Sequence, residues 1–120
     1  MNLQRIISEI RKQDPTIRIV FMTQPVSYRS DMSDKEKELL WFGWTQKGDY
    51  CSICVMNELI KEYNDVVVNL SKDNGVICVD MNRKLRHDSR MFYDDVHFND
   101  EGARRVASCI YEQIKSIITR

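Results

Sequence analysis

The feature that most constrains the fold is the scarcity of β-strand sequence in a chain otherwise patterned for helices. Only residues 17–22 and 76–79 form short, β-branched apolar runs of strand length. A long, helically patterned stretch separates the two runs, and parallel strands require a crossover of that kind. The order of helix, strand, helix, helix, strand and helix therefore predicts an α/β layered fold with two parallel strands and flanking helices.

Local signals mark where the helices begin and end. Ser33 and Glu36 have the spacing of a capping box, Asn74-Gly75 suits a C-terminal cap, and Asn99 can cap the last helix. Two apolar stripes at helical spacing predict the longest helices, and they consist of Ile53, Met56, Ile60, Tyr63, Val67 and Leu70, and of Ala103, Val106, Ala107, Ile110, Ile114 and Ile117.

The number of strands is too small for a complete domain of this class. The chain has 120 residues, enough for one domain but not two. A parallel sheet is normally covered on both faces and contains more than two strands. We therefore expect residues 1–120 to be the C-terminal part of a single larger domain, whose missing N-terminal half, or a second copy of the chain, completes the sheet.

The charge balance and the cysteine content indicate which binding partners and which cellular compartment the sequence favours. The chain has 18 Lys and Arg against 18 Asp and Glu, which favours neither nucleic acid nor an anionic membrane as a partner. Cys51 and Cys54 have redox-motif spacing but lack a preceding strand, and no nearby histidine completes a zinc pattern. We therefore expect no metal, and four reduced thiols favour a reducing, cytoplasmic compartment.

The candidate catalytic residues lie in the segment that leads into the last helix. Asp94 stands three residues before His97, which allows the carboxylate to accept from one ring nitrogen while the other takes a proton from a serine hydroxyl. That pair is what nucleophilic acyl transfer requires of its base and the group that orients it. The alternatives are that His97 is an ordinary surface or structural histidine and that Asp94 is a helix-entry carboxylate.

The wider context resembles the SGNH hydrolases, also called the GDSL family. Their last motif is Asp-x-x-His followed by a glycine and a C-terminal helix, and this chain has Asp94, His97 and Gly102 in that order. Residues 19–25 resemble the family's fourth strand and its loop, and residues 76–80 resemble the fifth strand. The resemblance implies a partial three-layer α/β/α, flavodoxin-like fold. It also implies that His97 is the general base, oriented by Asp94, with Asp95 the less favoured partner.

The sequence departs from the family at the nucleophile. It contains no Gly-Asp-Ser triplet, which in the family holds the nucleophilic serine. It also lacks the glycine of the family's second motif and the Gly-x-Asn-Asp of the third, which supply the other oxyanion donors. Ser27, Ser30 and Ser33 lack the strand-turn-helix setting of a nucleophile. We therefore expect the chain alone to be inactive, with the serine supplied by a segment before Met1 or by another chain. The resemblance implies a carboxylic ester substrate, which a small molecule, a carbohydrate or a lipid could provide, and no cofactor.

Further residues and two rival functions stay open from sequence alone. Gln24, Tyr28 and Arg29 follow the end of a strand, where α/β sheets bind ligands, and Tyr28, Arg29 and the pair Trp41 and Trp44 could line an acyl or alcohol pocket. Packing in a core or a lid is the favoured explanation of the tryptophans, and a charged neighbourhood predicts that His87 is exposed. The rivals to the esterase are a non-catalytic remnant that acts as an interaction module and a thiol redox protein.

Overall fold

The two strands pair in parallel, as the sequence predicts. The computed structural model describes residues 2–40, 51–85 and 88–118, and within them β1 (Val20–Met22) and β2 (Ile77–Val79) form a two-stranded sheet. Val20 lies opposite Ile77 and Met22 opposite Val79. Both strands are shorter than their apolar runs, because ladder bonds begin only where the Ile77 amide donates to the Ile19 carbonyl at 3.3 Å.

Helices cover the two faces of the sheet. On one face, α1 (Asn2–Gln13) and α3 (Ile53–Asp73) pack Ile7 and Leu70 against Val76. On the other face, α5 (Asp100–Ile118) packs against a buried cluster that contains Val79 and Phe92. The described residues therefore form a partial three-layer α/β/α arrangement, as expected for this class of fold.

Local capping signals are confirmed at three helix ends. Both hydrogen bonds of the capping box are present at the start of α2 (Asp34–Lys37), between Ser33 and Glu36. Asn74 caps the end of α3, and Gly75 follows with a φ of 60°, which an L-amino acid adopts at a cost. At the start of α5, the Asn99 side chain accepts from the Gly102 amide at 2.9 Å.

Several segments differ from the sequence prediction or lie outside the described residues. The segment before α5 holds a short helix α4 (Met81–Leu85) and a 3₁₀ helix (Ser89–Met91) instead of a single helical turn. Tyr63, which the periodicity assigns to the packed stripe of α3, is 52% exposed on the flank of that helix. Trp41, Trp44 and His87 lie outside the described residues.

The outer edge of β1 is open within the described residues. Along β1 and its ends, the main-chain groups of the odd-numbered residues bond to β2; the Thr23 amide, for example, donates to the Val79 carbonyl at 3.1 Å. Because main-chain groups alternate in direction along a strand, those of Val20 and Met22 point away from β2. Met22 is 37% exposed, whereas parallel strands are normally buried. The helix α3 also carries an exposed stripe of apolar side chains, which consists of Val55, Leu59, Tyr63 and Val66.

Candidate functional site

A closed turn before α5 presents the Asp-x-x-His segment. Phe92 and Phe98 form an antiparallel bridge with ring centroids 5.3 Å apart, and the Tyr93 amide donates to the His97 carbonyl at 2.8 Å. Phe92 is buried and belongs to the core cluster under α5. The aromatic pair therefore fixes both ends of the turn to the core, while the side chains of Tyr93 and His97 are exposed.

Asp94 contacts His97 through both oxygens of its carboxylate. Oδ2 lies 2.8 Å from Nδ1 of the His97 ring, and Oδ1 accepts from the amides of Val96 and His97, each at 2.8 Å. The Asp94 side chain is 18% exposed and that of His97 62% exposed. A carboxylate beside Nδ1 favours the tautomer with its proton on Nδ1, which places the ring's lone pair on Nε2.

Gly102 is required because the first turn of α5 lies against the carbonyl of Met91. A Cβ at Gly102 would stand 2.0 Å from that oxygen and 3.2 Å from the Cβ of Phe98. The same Met91 carbonyl accepts from the Asn99 amide at 3.1 Å, and the Asn99 side chain donates to the Arg90 carbonyl at 2.7 Å. These contacts tie the start of α5 directly to the turn that holds Asp94 and His97.

An apolar cleft of about 560 Å³ borders the His97 ring. It lies between α3 and the turn, and its lining consists of Gln24, Ile60, Tyr63, Val96, His97 and Phe98. A concave surface that is mostly apolar, with an amide and an imidazole at its wall, is typical of a site for an organic ligand. Of the residues that sequence analysis placed after β1, the described structure brings Gln24 to this cleft.

The loop after β1 is held in place from two sides. The Thr23 hydroxyl donates to Asp80 at 3.1 Å, immediately after β2. The buried amide of Asn64 on α3 makes two bonds to the backbone of Gln24, accepting from its amide at 2.7 Å and donating to its carbonyl at 2.9 Å. Sequence analysis missed Asn64, because a lone asparagine in a helical pattern gives no signal of a partner 40 residues away.

Tyr28 and Arg29 make protein contacts instead of lining the cleft beside His97. Tyr28 is 1% exposed, and its hydroxyl donates to the carboxylate of the buried Asp95 at 2.7 Å. Arg29 pairs with Asp31 at 2.9 Å and with Glu36. Burial, and then the bond to Asp95, raise the pKa of the Tyr28 phenol well above its usual value, so the hydroxyl stays a donor.

The carboxylate of Glu36 joins three segments of the chain. Its carboxylate accepts from Arg29, from the amide and hydroxyl of Ser33 at 2.8 and 2.7 Å, and from the hydroxyl of Ser89 at 2.8 Å. These bonds, that of Arg29 above all, lower the pKa of Glu36 to about 2. The capping box indicated Glu36 from sequence, but nothing local indicated Arg29 or Ser89.

The cysteines and the other titratable groups form no second site in the described residues. The thiols of Cys51, Cys54, Cys78 and Cys109 are all unbonded to one another, and Cys51 and Cys54 bracket the start of α3. Among the described residues, no three His, Cys, Asp or Glu side chains cluster closely enough to hold a metal ion. No helix in the same part of the chain is long and apolar enough to cross a bilayer.

Comparison with known proteins identifies the family. The model of the GDSL-like Lipase/Acylhydrolase family matches residues 1–105, a range that includes Asp94, His97 and Gly102. Since this match spans most of the chain, the chain belongs to the GDSL-like lipase/acylhydrolase family, and the SGNH/GDSL assignment made from sequence is confirmed. Comparison with curated proteins and with solved structures gave no match.

Proposed function

We propose that the chain supplies the histidine and aspartate of an SGNH-type serine esterase that cleaves a carboxylic ester. The observation that carries this proposal is the 2.8 Å contact between Asp94 Oδ2 and His97 Nδ1 in a chain of this family. In this mechanism, Nε2 of His97 takes the proton from a serine hydroxyl as the serine attacks the ester carbonyl. His97 then returns the proton to the leaving alcohol, and water completes the hydrolysis of the acyl-enzyme.

Asp94 remains ionised throughout this cycle and acts on the imidazole. It holds the Nδ1 tautomer and stabilises the imidazolium that forms when Nε2 is protonated. The two amide bonds to its Oδ1 support this role, because they fix the carboxylate in one orientation. The reaction as proposed uses no metal and no cofactor.

The serine and the oxyanion donors are proposed to come from outside these 120 residues. The sequence contains no Gly-Asp-Ser. The open edge of β1, where Val20 and Met22 present main-chain donors and acceptors, offers a place for a further parallel strand. On this proposal residues 1–120 form the C-terminal part of a single domain, and the preceding part of the domain or another chain completes it.

The substrate is proposed to present an apolar acyl or alcohol group to the cleft beside His97. Ile60, Tyr63, Val96 and Phe98 supply an apolar wall, and Gln24 supplies an amide at its border. Small-molecule, carbohydrate and lipid esters that carry a group of this kind are the proposed substrate classes.

Ester hydrolysis by the natural protein that contains this chain tests the proposal. With p-nitrophenyl acetate as substrate, His97→Ala is expected to lower kcat by about 10³-fold or more, since a triad base is removed. Asp94→Asn is expected to lower kcat by a comparable factor, because the tautomer is no longer held. His87→Ala, at the chain's other histidine, and Asp100→Asn, at an exposed carboxylate, are the matched controls. Wild-type hydrolysis by the His97→Ala protein would rule the esterase out.

A second candidate, an interaction module without catalysis, is favoured by the exposed apolar surface. The open edge of β1 and the exposed stripe of α3 are available for association with another chain. The reading frame that encodes the chain separates the two candidates. An in-frame Gly-Asp-Ser upstream supports the esterase, whereas a natural protein without one that dimerises through the β1 edge supports the interaction module.

A further inference from the structure

A buried carboxylate lies next to Asp94 in the exposed turn. Tyr93 is 65% exposed and the His97 side chain 62% exposed, yet Asp95 between them is fully buried. Its Oδ2 accepts from the Tyr28 hydroxyl at 2.7 Å. A carboxylate is costly to bury unless it is hydrogen-bonded, so its position in an exposed turn requires a specific reason.

The segment that contains Tyr28 also contacts the backbone of the turn. The Ser27 amide donates to the Asp95 carbonyl at 3.0 Å, and the Ser27 hydroxyl donates to the Asp94 carbonyl at 3.2 Å. Together with the Tyr28 bond, these contacts join two consecutive residues after β1 to two consecutive residues of the turn. Ser27 and Tyr28 are both at most 2% exposed, so the bonds lie away from competing water.

The side chain of Tyr28 is itself held by packing. Val26, Tyr28 and Met56 form a buried cluster, with the partly buried Cys51 and Val96 packed against it. Val96 lies in the turn, and its amide donates to Asp94 Oδ1. The Tyr28 hydroxyl and the cluster that contains its ring therefore contact the turn at Asp95 and Val96, the two residues between Asp94 and His97.

From these contacts we infer that Tyr28, together with Ser27, is a positioning residue that fixes the Asp94–His97 pair by holding Asp95 and the backbone of the turn. The inference rests on the proposed function for its catalytic consequence, and neither residue is assigned a contact with substrate. Asp94 and Asp95 thereby have separate roles: Asp94 orients the His97 imidazole, and Asp95 anchors the turn to the buried Tyr28. A displacement of reacting groups by about 1 Å can cost about 10²-fold in rate, which makes the anchoring of the turn consequential.

The first test measures the His97 imidazole by NMR in the natural protein that contains the chain, and it requires no catalytic activity. In the wild type, the proton on His97 Nδ1 is bonded to Asp94 and should give a slowly exchanging downfield NMR resonance. Tyr28→Phe removes only the hydroxyl and is expected to abolish that resonance or to raise its exchange rate by about tenfold or more. Tyr111→Phe, at an exposed tyrosine of α5, is the matched control and is expected to leave the resonance unchanged.

The second test measures catalysis by the natural protein that contains the chain. Tyr28→Phe is expected to lower kcat per folded molecule by about 10- to 100-fold, because the His97 base is displaced from the reacting atoms. KM is expected to stay within about twofold of the wild-type value, because substrate binding does not involve Tyr28. If Tyr28→Phe does not fold, Ser27→Ala removes a single bond to the Asp94 carbonyl and is expected to raise the exchange rate several-fold. An unchanged resonance in the folded variant overturns the inference.

The two proposals fail in distinguishable ways. Loss of activity in His97→Ala, combined with a normal resonance and normal kcat in Tyr28→Phe, would overturn the positioning role of Tyr28 alone. Full activity in His97→Ala would overturn the proposed function. In that event the resonance measurement still decides whether Tyr28 and Ser27 fix the turn.

Discussion

Replacing Gly102 by alanine places a methyl group where the structure leaves no room for it. The added Cβ would stand 2.0 Å from the Met91 carbonyl oxygen, so α5 or the turn must move by more than 1 Å, given ordinary contact near 3.4 Å. Overpacking of this kind costs about 1–3 kcal/mol. The movement also weakens the Asn99 cap and the Asn99–Met91 bond, each worth about 1 kcal/mol. The expected destabilisation is therefore about 3–5 kcal/mol.

Urea and thermal unfolding followed by far-UV circular dichroism measure this effect. For a domain of this size, about 3 kcal/mol corresponds to a fall in Tm of about 10 °C. Gly75→Ala is the matched control, because a Cβ there meets nothing within 4 Å and the cost comes only from its φ of 60°, about 1–2 kcal/mol. A Gly102→Ala protein as stable as Gly75→Ala would refute the close packing of α5 on the turn.

Three further predictions concern other parts of the structure. Glu36 has a folded pKa of about 2 against an ordinary 4.5, so it stabilises the fold above pH 4.5 and the contribution is lost as the pH falls through about 2. The difference in urea midpoint between wild type and Glu36→Gln should therefore shrink over that range; a constant difference would contradict this. Asn64→Ala leaves two main-chain groups after β1 without partners and should cost about 2–4 kcal/mol in urea unfolding; a loss below about 1 kcal/mol would count against it. The purified chain should self-associate or bind an apolar dye, and Leu59→Lys with Val66→Lys should reduce both; a compact monomer without dye binding would exclude the open surface.

Local rules predicted the helix ends and the Asp94–His97 pair well. A capping box, an asparagine cap and an Asp-x-x-His spacing each involve residues within one turn of one another, so their geometry follows from short-range preferences. The Ser33–Glu36 bonds, the Asn99 cap and the Asp94–His97 contact all have the form that their spacing allows. The catalytic role of the pair stays a prediction that the experiments above address.

Contacts between distant segments were beyond the reach of the sequence. Tyr28 and Asp95 are 67 residues apart, and only the parallel pairing of β1 and β2 brings their loops to the same end of the sheet. The sequence consequently left a ligand-facing position open for Tyr28, where the structure has a buried phenol. Strand lengths were overestimated for the same reason, since an apolar run such as residues 17–22 becomes strand only as far as a partner pairs with it.

The most direct test of the central claim is to trap the nucleophile in the natural protein with a fluorophosphonate and to locate the adduct by mass spectrometry. The account predicts an adduct on a serine outside these 120 residues. It also predicts that His97→Ala slows its formation by orders of magnitude, while His87→Ala does not. An adduct on Ser27, Ser30 or Ser33, or labelling at the wild-type rate without His97, would contradict it.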